Sequence, residues 1–187
     1  SQSAIDAAFT LRPRVGDPSR IASIEIATFR TAVEIIGKDP EKWRPKTRET
    51  ADHSLPYCTV AALLDGEITA RQFTPERLSD PALLDLISRT KLVEDQALTA
   101  RYPKGIPNRL TVTLNDGSVF THEVEFPPGH DQNPLTDAQL SAKFEGLAEP
   151  VIGRDRVERL WERVARLEED SAPHGMLVLL APKHDEA

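Results

Sequence analysis

The sequence predicts an α+β fold in which helices cover a small, mainly antiparallel sheet. The clearest sign is a hairpin pattern, since apolar residues alternate over Arg109–Leu114 and Ser118–Phe126 around the tight turn Asn115-Asp116-Gly117. A segment rich in β-branched residues, Ile21–Phe29, predicts another strand, and Lys91–Glu94 predicts a short one. Segments with helical spacing lie between and after these strands, so we expect helices to cover the sheet.

Helices are predicted wherever apolar residues recur every three or four positions behind a capping residue or a proline. These segments are Ala4–Leu11 (with Ile5, Ala8 and Phe9 turned inward), Thr31–Ile36, Ser54–Gly66, Thr74–Arg77, Asp80–Ile87, Gln96–Tyr102, Thr136–Leu147 and Arg154–Glu169. A last apolar turn or two is predicted in Pro173–Pro182. Proline-rich stretches predict loops at Pro13–Pro18, Lys38–Pro45 and Pro127–Pro134, with Trp43 packed under the second of them.

The composition narrows the class of partner. The chain has 187 residues and a formal net charge of −7, which disfavours nucleic acid and anionic membrane surfaces. The longest apolar run, Met176–Ala181, is far too short to span a membrane. No charged-then-apolar leader opens the sequence, so we expect a cytoplasmic protein. Because the net charge opposes an anionic substrate at long range, any carboxylate site must be locally basic.

No metal or other cofactor is expected. Cys58 is the only cysteine, so the chain has no internal disulfide and cannot supply the three or four thiolates of an iron–sulfur cluster. The five histidines show no paired spacing of the kind that zinc sites use.

The stretch Arg44–Gly66 contains the strongest local signals. Ser54 is a natural N-cap because its hydroxyl can accept a bond from the amide of Tyr57, and Pro56 falls in the first turn, where a missing N–H costs nothing. Gly66 supplies the C-terminal stop. The stretch therefore predicts a helix that begins after Ser54 and ends at Gly66.

Basic and titratable groups precede this helix. His53 and the cations Arg44, Lys46 and Arg48 lie just before a helix N-terminus, an arrangement suited to an anion. The alternative is that His53 is only a local capping or packing residue. His130 and Asp131 form another possible pair, although a solvated loop is the favoured interpretation there.

Three segments resemble the 2-methylcitrate dehydratase family, also called MmgE/PrpD, in its C-terminal half. They are IASIEIATFRTAVEIIG, TRETADHSLPYCTVAALLDGEIT and PNRLTVTLNDGSVFTHEVEFPPGHDQNPLTDAQLSAKF, and ADHSLPY is the most specific part. The resemblance implies a lyase or isomerase that acts on small di- or tricarboxylic acids without a metal. Family activities include 2-methylcitrate dehydration, cis-aconitate decarboxylation and iminodisuccinate epimerisation.

The resemblance also implies a domain organisation. Residues 1–135 correspond to a lid-like α/β domain, and residues 136–187 to C-terminal helices that pack on an N-terminal helical domain. We therefore expect the chain to be a fragment of a longer protein that is a homodimer at full length. Without the N-terminal domain, the apolar faces of the last helices should be exposed.

The function implied is dehydration of 2-methylcitrate in propionate catabolism. The resemblance assigns proton transfer to His53 and Tyr57, facing the cleft, and makes Arg48 and Ser54 candidates for carboxylate contacts. Arg48 has a competing interpretation, an ion pair with Glu49 or Asp52. Decarboxylation or epimerisation within the same family stays open, as does a non-catalytic binding module that keeps only the lid fold. The isolated fragment is expected to be inactive.

Overall fold

A computed structural model describes residues 1–169 and 172–181, and it divides the chain into two compact units, Ser1–Asn133 and Pro134–Ala187. The division falls two residues before the predicted boundary at residue 135. The α-helices are α1 (Gln2–Val15), α2 (Arg30–Ile36), α3 (Pro40–Trp43), α4 (Arg48–Asp52), α5 (Leu55–Asp65), α6 (Pro75–Leu78), α7 (Pro81–Ser88), α8 (Gln96–Thr99), α9 (Asp137–Ile152) and α10 (Arg154–Ala165). The strands are β1 (Ile21–Thr28), β2 (Thr90–Glu94), β3 (Asn108–Leu114) and β4 (Val119–Val124), and short 3-10 helices cover Pro18–Arg20, Ala70–Phe73, Leu167–Glu169 and Pro173–Leu180.

The first unit is built on a four-stranded sheet in the order β2-β1-β3-β4. β1 runs parallel to β2 and antiparallel to β3, and β3 pairs antiparallel with β4. The hairpin turn is the predicted one, with Gly117 at a φ of +85° that a side chain would disfavour. The predicted α+β class and its mainly antiparallel sheet are therefore confirmed.

One face of the sheet forms the core. Along β3, Leu110, Val112 and Leu114 are buried while the residues between them are half-exposed, as the period of two requires. Helix α1 packs against this sheet at β3 and β4 and also against α5, which in turn contacts α7. Helix α5 is thus held inside the unit between other helices, and this placement decides the environment of its side chains.

Helix α1 is longer than the sequence predicts. Pro13 lies inside the helix, although the expectation was a loop from that residue onwards. A proline removes one helical hydrogen bond, but burial of Leu11 and Val15 against the core compensates for the loss. Among the residues expected to turn inward, Ala8 is fully buried, whereas Ile5 and Phe9 are only partly so.

Two other segments correct the predicted element bounds. The expected loop Lys38–Pro45 contains the single helical turn α3, and Trp43 at its end donates a hydrogen bond from its indole nitrogen to the carbonyl oxygen of Gly37 at 2.8 Å. The predicted helix Gln96–Tyr102 ends at Thr99. Such short elements are set by capping and tertiary contacts, which periodicity does not register.

The second unit is a small helical assembly formed by α9, α10 and the 3-10 helix Pro173–Leu180. Its core consists of Ile152, Val157, Leu160 and Leu179. Many of its large apolar side chains are exposed, as expected from sequence: Leu140, Leu147, Val151, Val164, Leu167, Leu177, Val178 and Leu180. Among the described residues, no helix is both long enough and apolar enough to cross a bilayer. Part of the predicted turn Pro173–Pro182 lies outside the described residues.

Candidate active site

The site residues predicted from sequence lie along α4, the turn after it and the start of α5. Helix α4 is capped by Thr47, whose hydroxyl oxygen accepts a hydrogen bond from the amide of Thr50 at 3.2 Å. His53 ends this helix, and Ser54 is the N-cap of α5. Because α4 ends at His53 and α5 begins directly after Ser54, the side chain of His53 is exposed whereas that of Tyr57 is buried.

The hydroxyl of Ser54 makes hydrogen bonds within the fold. As predicted, its Oγ accepts a hydrogen bond from the amide of Tyr57, at 3.1 Å, and it also donates one to the carbonyl oxygen of Lys42 at 2.5 Å. The residue is fully buried. These contacts join α3 to α5 and use the enclosed Ser54 hydroxyl both as donor and as acceptor, and the expected carboxylate contact of Ser54 stays a prediction.

Replacing Ser54 with alanine should lower the free energy of unfolding by about 1–2 kcal/mol. The variant loses the N-cap of α5 and leaves the carbonyl of Lys42 without its partner. Urea denaturation of the 187-residue chain measures the change. Ser23→Ala on the exposed part of β1 is the matched control and should change stability by less than about 0.5 kcal/mol. Equal effects of the two substitutions would contradict the structural role of Ser54.

Tyr57 is also inside the unit. Its side chain is 0% exposed, its ring lies 5.9 Å from that of Phe73 between centroids, and its hydroxyl donates to the carbonyl oxygen of Gln72 at 2.5 Å. Burial raises the pKa of the phenol to about 12. Within this unit the ring is enclosed, because α5 is packed between α1 and α7. The role of Tyr57 in proton transfer stays a prediction.

The raised pKa of Tyr57 predicts a loss of stability at high pH. The phenol ionises near its ordinary pKa of 10.0 in the unfolded chain but only near 12 in the folded one. The unfolded state therefore binds fewer protons between these pH values, and the free energy of unfolding should fall as pH rises through them. Tyr57→Phe removes this contribution, so its stability should fall less steeply over that range. Identical slopes for the two proteins would contradict the assignment.

The N-terminus of α5 is not open to an anion. Leu55 and Pro56 in its first turn are buried, and the amide of Tyr57 is already bonded to Ser54. The expected anion site at this helix end is thus corrected. Any anion contact in this region has to come from side chains on the exposed segment before the helix.

His53 is the exposed member of the predicted pair, with 71% of its side chain accessible. Its Nδ1 lies 2.5 Å from Oδ1 of Asp52 and 3.1 Å from the carbonyl oxygen of Glu49. These contacts come from α4 itself, a helix that the sequence interpretation did not include. The Asp52 contact was consequently missed, although the adjacency of acid and imidazole in the sequence was a usable signal.

Three cations precede His53, and all are exposed: Arg44, Lys46 and Arg48. Within residues 1–169 and 172–181, none of them takes part in an ion pair, so the competing interpretation of Arg48 as a partner of Glu49 or Asp52 does not apply here. Arg44 lines a cleft of about 480 Å³ together with Trp43, four residues of α7 and Thr90. Their charges are available to a carboxylate-bearing ligand.

Other candidate chemistry in the described residues is weaker. No group of three or more histidine, cysteine, aspartate or glutamate side chains is arranged there to hold a metal ion. Cys58 is buried, and burial raises the pKa of its thiol to about 11, which disfavours the reactive thiolate. His130 lies 2.6 Å from Asp131 through Nδ1, but the same nitrogen accepts a hydrogen bond from the amide of Gln132 at 3.1 Å.

Together these features define an α+β domain that presents one exposed imidazole and several cations with no ion-pair partner in the described part of the chain. A family model described as the MmgE/PrpD C-terminal domain matches residues 1–169. The chain therefore belongs to this family, and the resemblance noted from its sequence is confirmed.

Curated relatives agree with this assignment. The chain is 36% identical over 139 residues to 2-methylcitrate dehydratase of Cupriavidus necator, covering 70% of this chain and 28% of the relative. It is 34% identical over 139 residues to 2-methylcitrate dehydratase of Salmonella typhimurium, with the same coverage. It is 31% identical over 131 residues to cis-aconitate decarboxylase of Mus musculus, covering 67% of this chain and 25% of that protein. The chain thus spans about a quarter of the length of these relatives.

Proposed function

We propose that the chain is the C-terminal part of a longer lyase that acts on a small di- or tricarboxylic acid, with dehydration of 2-methylcitrate as the favoured reaction. What carries the proposal is the family match over residues 1–169, together with dehydratase relatives that are 34–36% identical. The remaining catalytic groups come from an N-terminal helical domain, and the longer protein is a homodimer that needs no metal.

Dehydration of a β-hydroxy carboxylic acid requires a base, an acid and cations. The base takes a proton from carbon, the C–H electron pair forms the double bond, and the C–O bond breaks with its electrons on oxygen. The leaving hydroxide takes a proton from the acid and departs as water. Fixed cations hold the carboxylates of the substrate and stabilise the charge that develops.

The described residues supply part of this set. His53 is suited to proton transfer because its imidazole is exposed and an imidazole nitrogen can both accept and donate a proton. Arg48 is exposed, without an ion-pair partner in the described chain, and lies on the same short helix that ends at His53, so it is the candidate carboxylate ligand. Tyr57 and Ser54 support these residues from the core.

A second candidate reaction has a specific observation behind it. The cis-aconitate decarboxylase of Mus musculus is 31% identical over 131 residues, close to the value for the dehydratases. Decarboxylation of a small unsaturated tricarboxylic acid uses the same cations and one proton donor, so the same exposed groups would serve it.

Turnover of candidate substrates by the longer protein tests the proposal. We expect loss of water from 2-methylcitrate, followed by NMR of the product, and slower or no reaction with cis-aconitate and iminodisuccinate. The isolated 187-residue chain should show no turnover. If the protein decarboxylates cis-aconitate faster than it dehydrates 2-methylcitrate, decarboxylation would replace dehydration as the proposed reaction. No turnover of any of the three acids would overturn the proposal in favour of a non-catalytic binding module.

A further inference from the structure

We propose that Asp52 is the positioning residue of His53 and that His53 acts as a base through its Nε2 atom. The inference deepens the proposed function and rests on it, because it says which atom of His53 exchanges the proton and what holds the ring. The observation that supports this inference is the pair of contacts made by Nδ1 of His53.

The partners of Nδ1 determine which ring nitrogen carries the proton. Asp52 Oδ1 lies 2.5 Å from Nδ1, and the carbonyl oxygen of Glu49 lies 3.1 Å from it. A carbonyl oxygen only accepts hydrogen bonds, and so does an ionised carboxylate. Nδ1 must therefore be the protonated nitrogen, which leaves the lone pair of the neutral ring on Nε2. A histidine in this tautomer can remove a proton at Nε2 but cannot donate one there until it has been protonated.

The backbone that carries this pair is fixed from the core side. The amide of Ser54 donates to the carbonyl oxygen of Ala51 at 3.0 Å, and Ala51 is fully buried. The thiol of Cys58 on α5 also donates to this carbonyl, at 3.4 Å, and to that of Asp52 at 3.7 Å. The end of α4 is thus attached to α5 at the two residues preceding His53. The Asp52 side chain projects from a fixed backbone even though it is partly exposed.

Asp52 contributes to the proton transfer in two ways. Its hydrogen bond selects the tautomer and the orientation of the imidazole, and its negative charge stabilises the imidazolium that forms when Nε2 takes the proton. The electron pair of the broken C–H bond stays on the substrate, and the proton on Nε2 later returns to solvent. Asp52 itself stays ionised and does not touch the substrate.

His130 shows that a carboxylate next in sequence does not by itself produce this arrangement. Its Nδ1 accepts a hydrogen bond from the amide of Gln132 at 3.1 Å, so a donor faces the nitrogen even though Asp131 lies beside it. At His53 both neighbours of Nδ1 are acceptors. The difference follows from the helix, since the carbonyl of Glu49 comes from one turn earlier in α4.

The tautomer of His53 can be measured in the 187-residue chain, independently of activity. Ring ¹⁵N chemical shifts at a pH where the ring is neutral should show the Nδ1–H form predominating. Asp52→Ala should increase the Nε2–H form, while the control Asp39→Asn, at an exposed aspartate whose side chain caps no amide, should leave the shifts unchanged. A predominant Nε2–H form in the unaltered chain, or no response to Asp52→Ala, would overturn the inference.

Kinetics of the longer protein separate this inference from the proposed function. Asp52→Ala should lower kcat about tenfold with little change in KM, because the ring loses orientation and charge stabilisation while substrate contacts remain. Asp52→Asn keeps an oxygen that can accept from Nδ1 and should retain more activity than the alanine variant. If His53→Ala lowers the rate and Asp52→Ala does not, the positioning role fails alone. If His53→Ala also leaves the rate unchanged, the assignment of His53 in the proposed function fails.

Discussion

Replacing Tyr57 with alanine should lower the free energy of unfolding by about 4 kcal/mol, the range found when a fully buried aromatic side chain is removed. The side chain of Tyr57 is 0% exposed and packs against the ring of Phe73. Tyr57 belongs to α5, which is enclosed by α1 and α7. The truncation would leave a cavity and would remove the hydrogen bond to the carbonyl of Gln72. Urea denaturation of the isolated chain measures the change.

The matched control is Tyr57→Phe, which keeps the ring and removes only the hydroxyl. It should destabilise the chain by about 1 kcal/mol, the net contribution of one hydrogen bond. In the longer protein, a structural role for Tyr57 predicts that this variant keeps nearly full activity. A fall in rate of about tenfold with near-native stability would instead restore the role in proton transfer that the family resemblance implied.

Local signals in the sequence were sufficient for the two ends of α5 and for the hairpin turn. The cap at Ser54 and the stop at Gly66, whose φ is +75°, could be identified because each depends on a few neighbouring residues. The hairpin around Gly117 was identifiable for the same reason. These features use short-range hydrogen bonds and backbone preferences, which a single sequence contains in full.

The environment of Tyr57 was not identifiable from the stripe Tyr57, Val60, Ala61 and Leu64 on which the prediction relied. Nearly the whole of α5 is buried, from Leu55 to Leu63. The buried residues include Cys58, Thr59 and Leu63, which lie outside that stripe. A helix that is apolar all round is usually an interior one, and this signal was present in the sequence. What the sequence did not show is which elements surround it.

The surroundings of His53 were missed for a different reason. Helix α4 is five residues long, which is too short for periodicity to reveal, and its only local start signal is the N-cap Thr47. Only this helical turn brings the carbonyl of Glu49 and the carboxylate of Asp52 to the same ring nitrogen. His53 can be identified from its residue type and its motif, whereas its hydrogen-bond partners can be identified only from the folded structure.

Replacing His53 with alanine in the longer protein should lower the rate of turnover at least about tenfold, the smallest loss expected when one proton-transfer group is removed. The imidazole is 71% exposed, so its removal opens no cavity, and the stability of the isolated chain should change by less than about 0.5 kcal/mol. A rate loss without a stability loss is the combination that separates a catalytic group from a packing residue. Tyr57→Ala should show the stability loss.

His174→Ala is the matched control, because His174 is another exposed histidine and lies in the second unit. It should leave both the rate and the stability unchanged. Full activity of the His53 variant would remove this residue from the mechanism, and neither Tyr57, which is enclosed, nor the Cys58 thiol, which is buried with a pKa raised to about 11, would be a ready replacement. A rate loss confined to His53 would instead establish that this domain contributes directly to the chemistry and does not only cover the substrate.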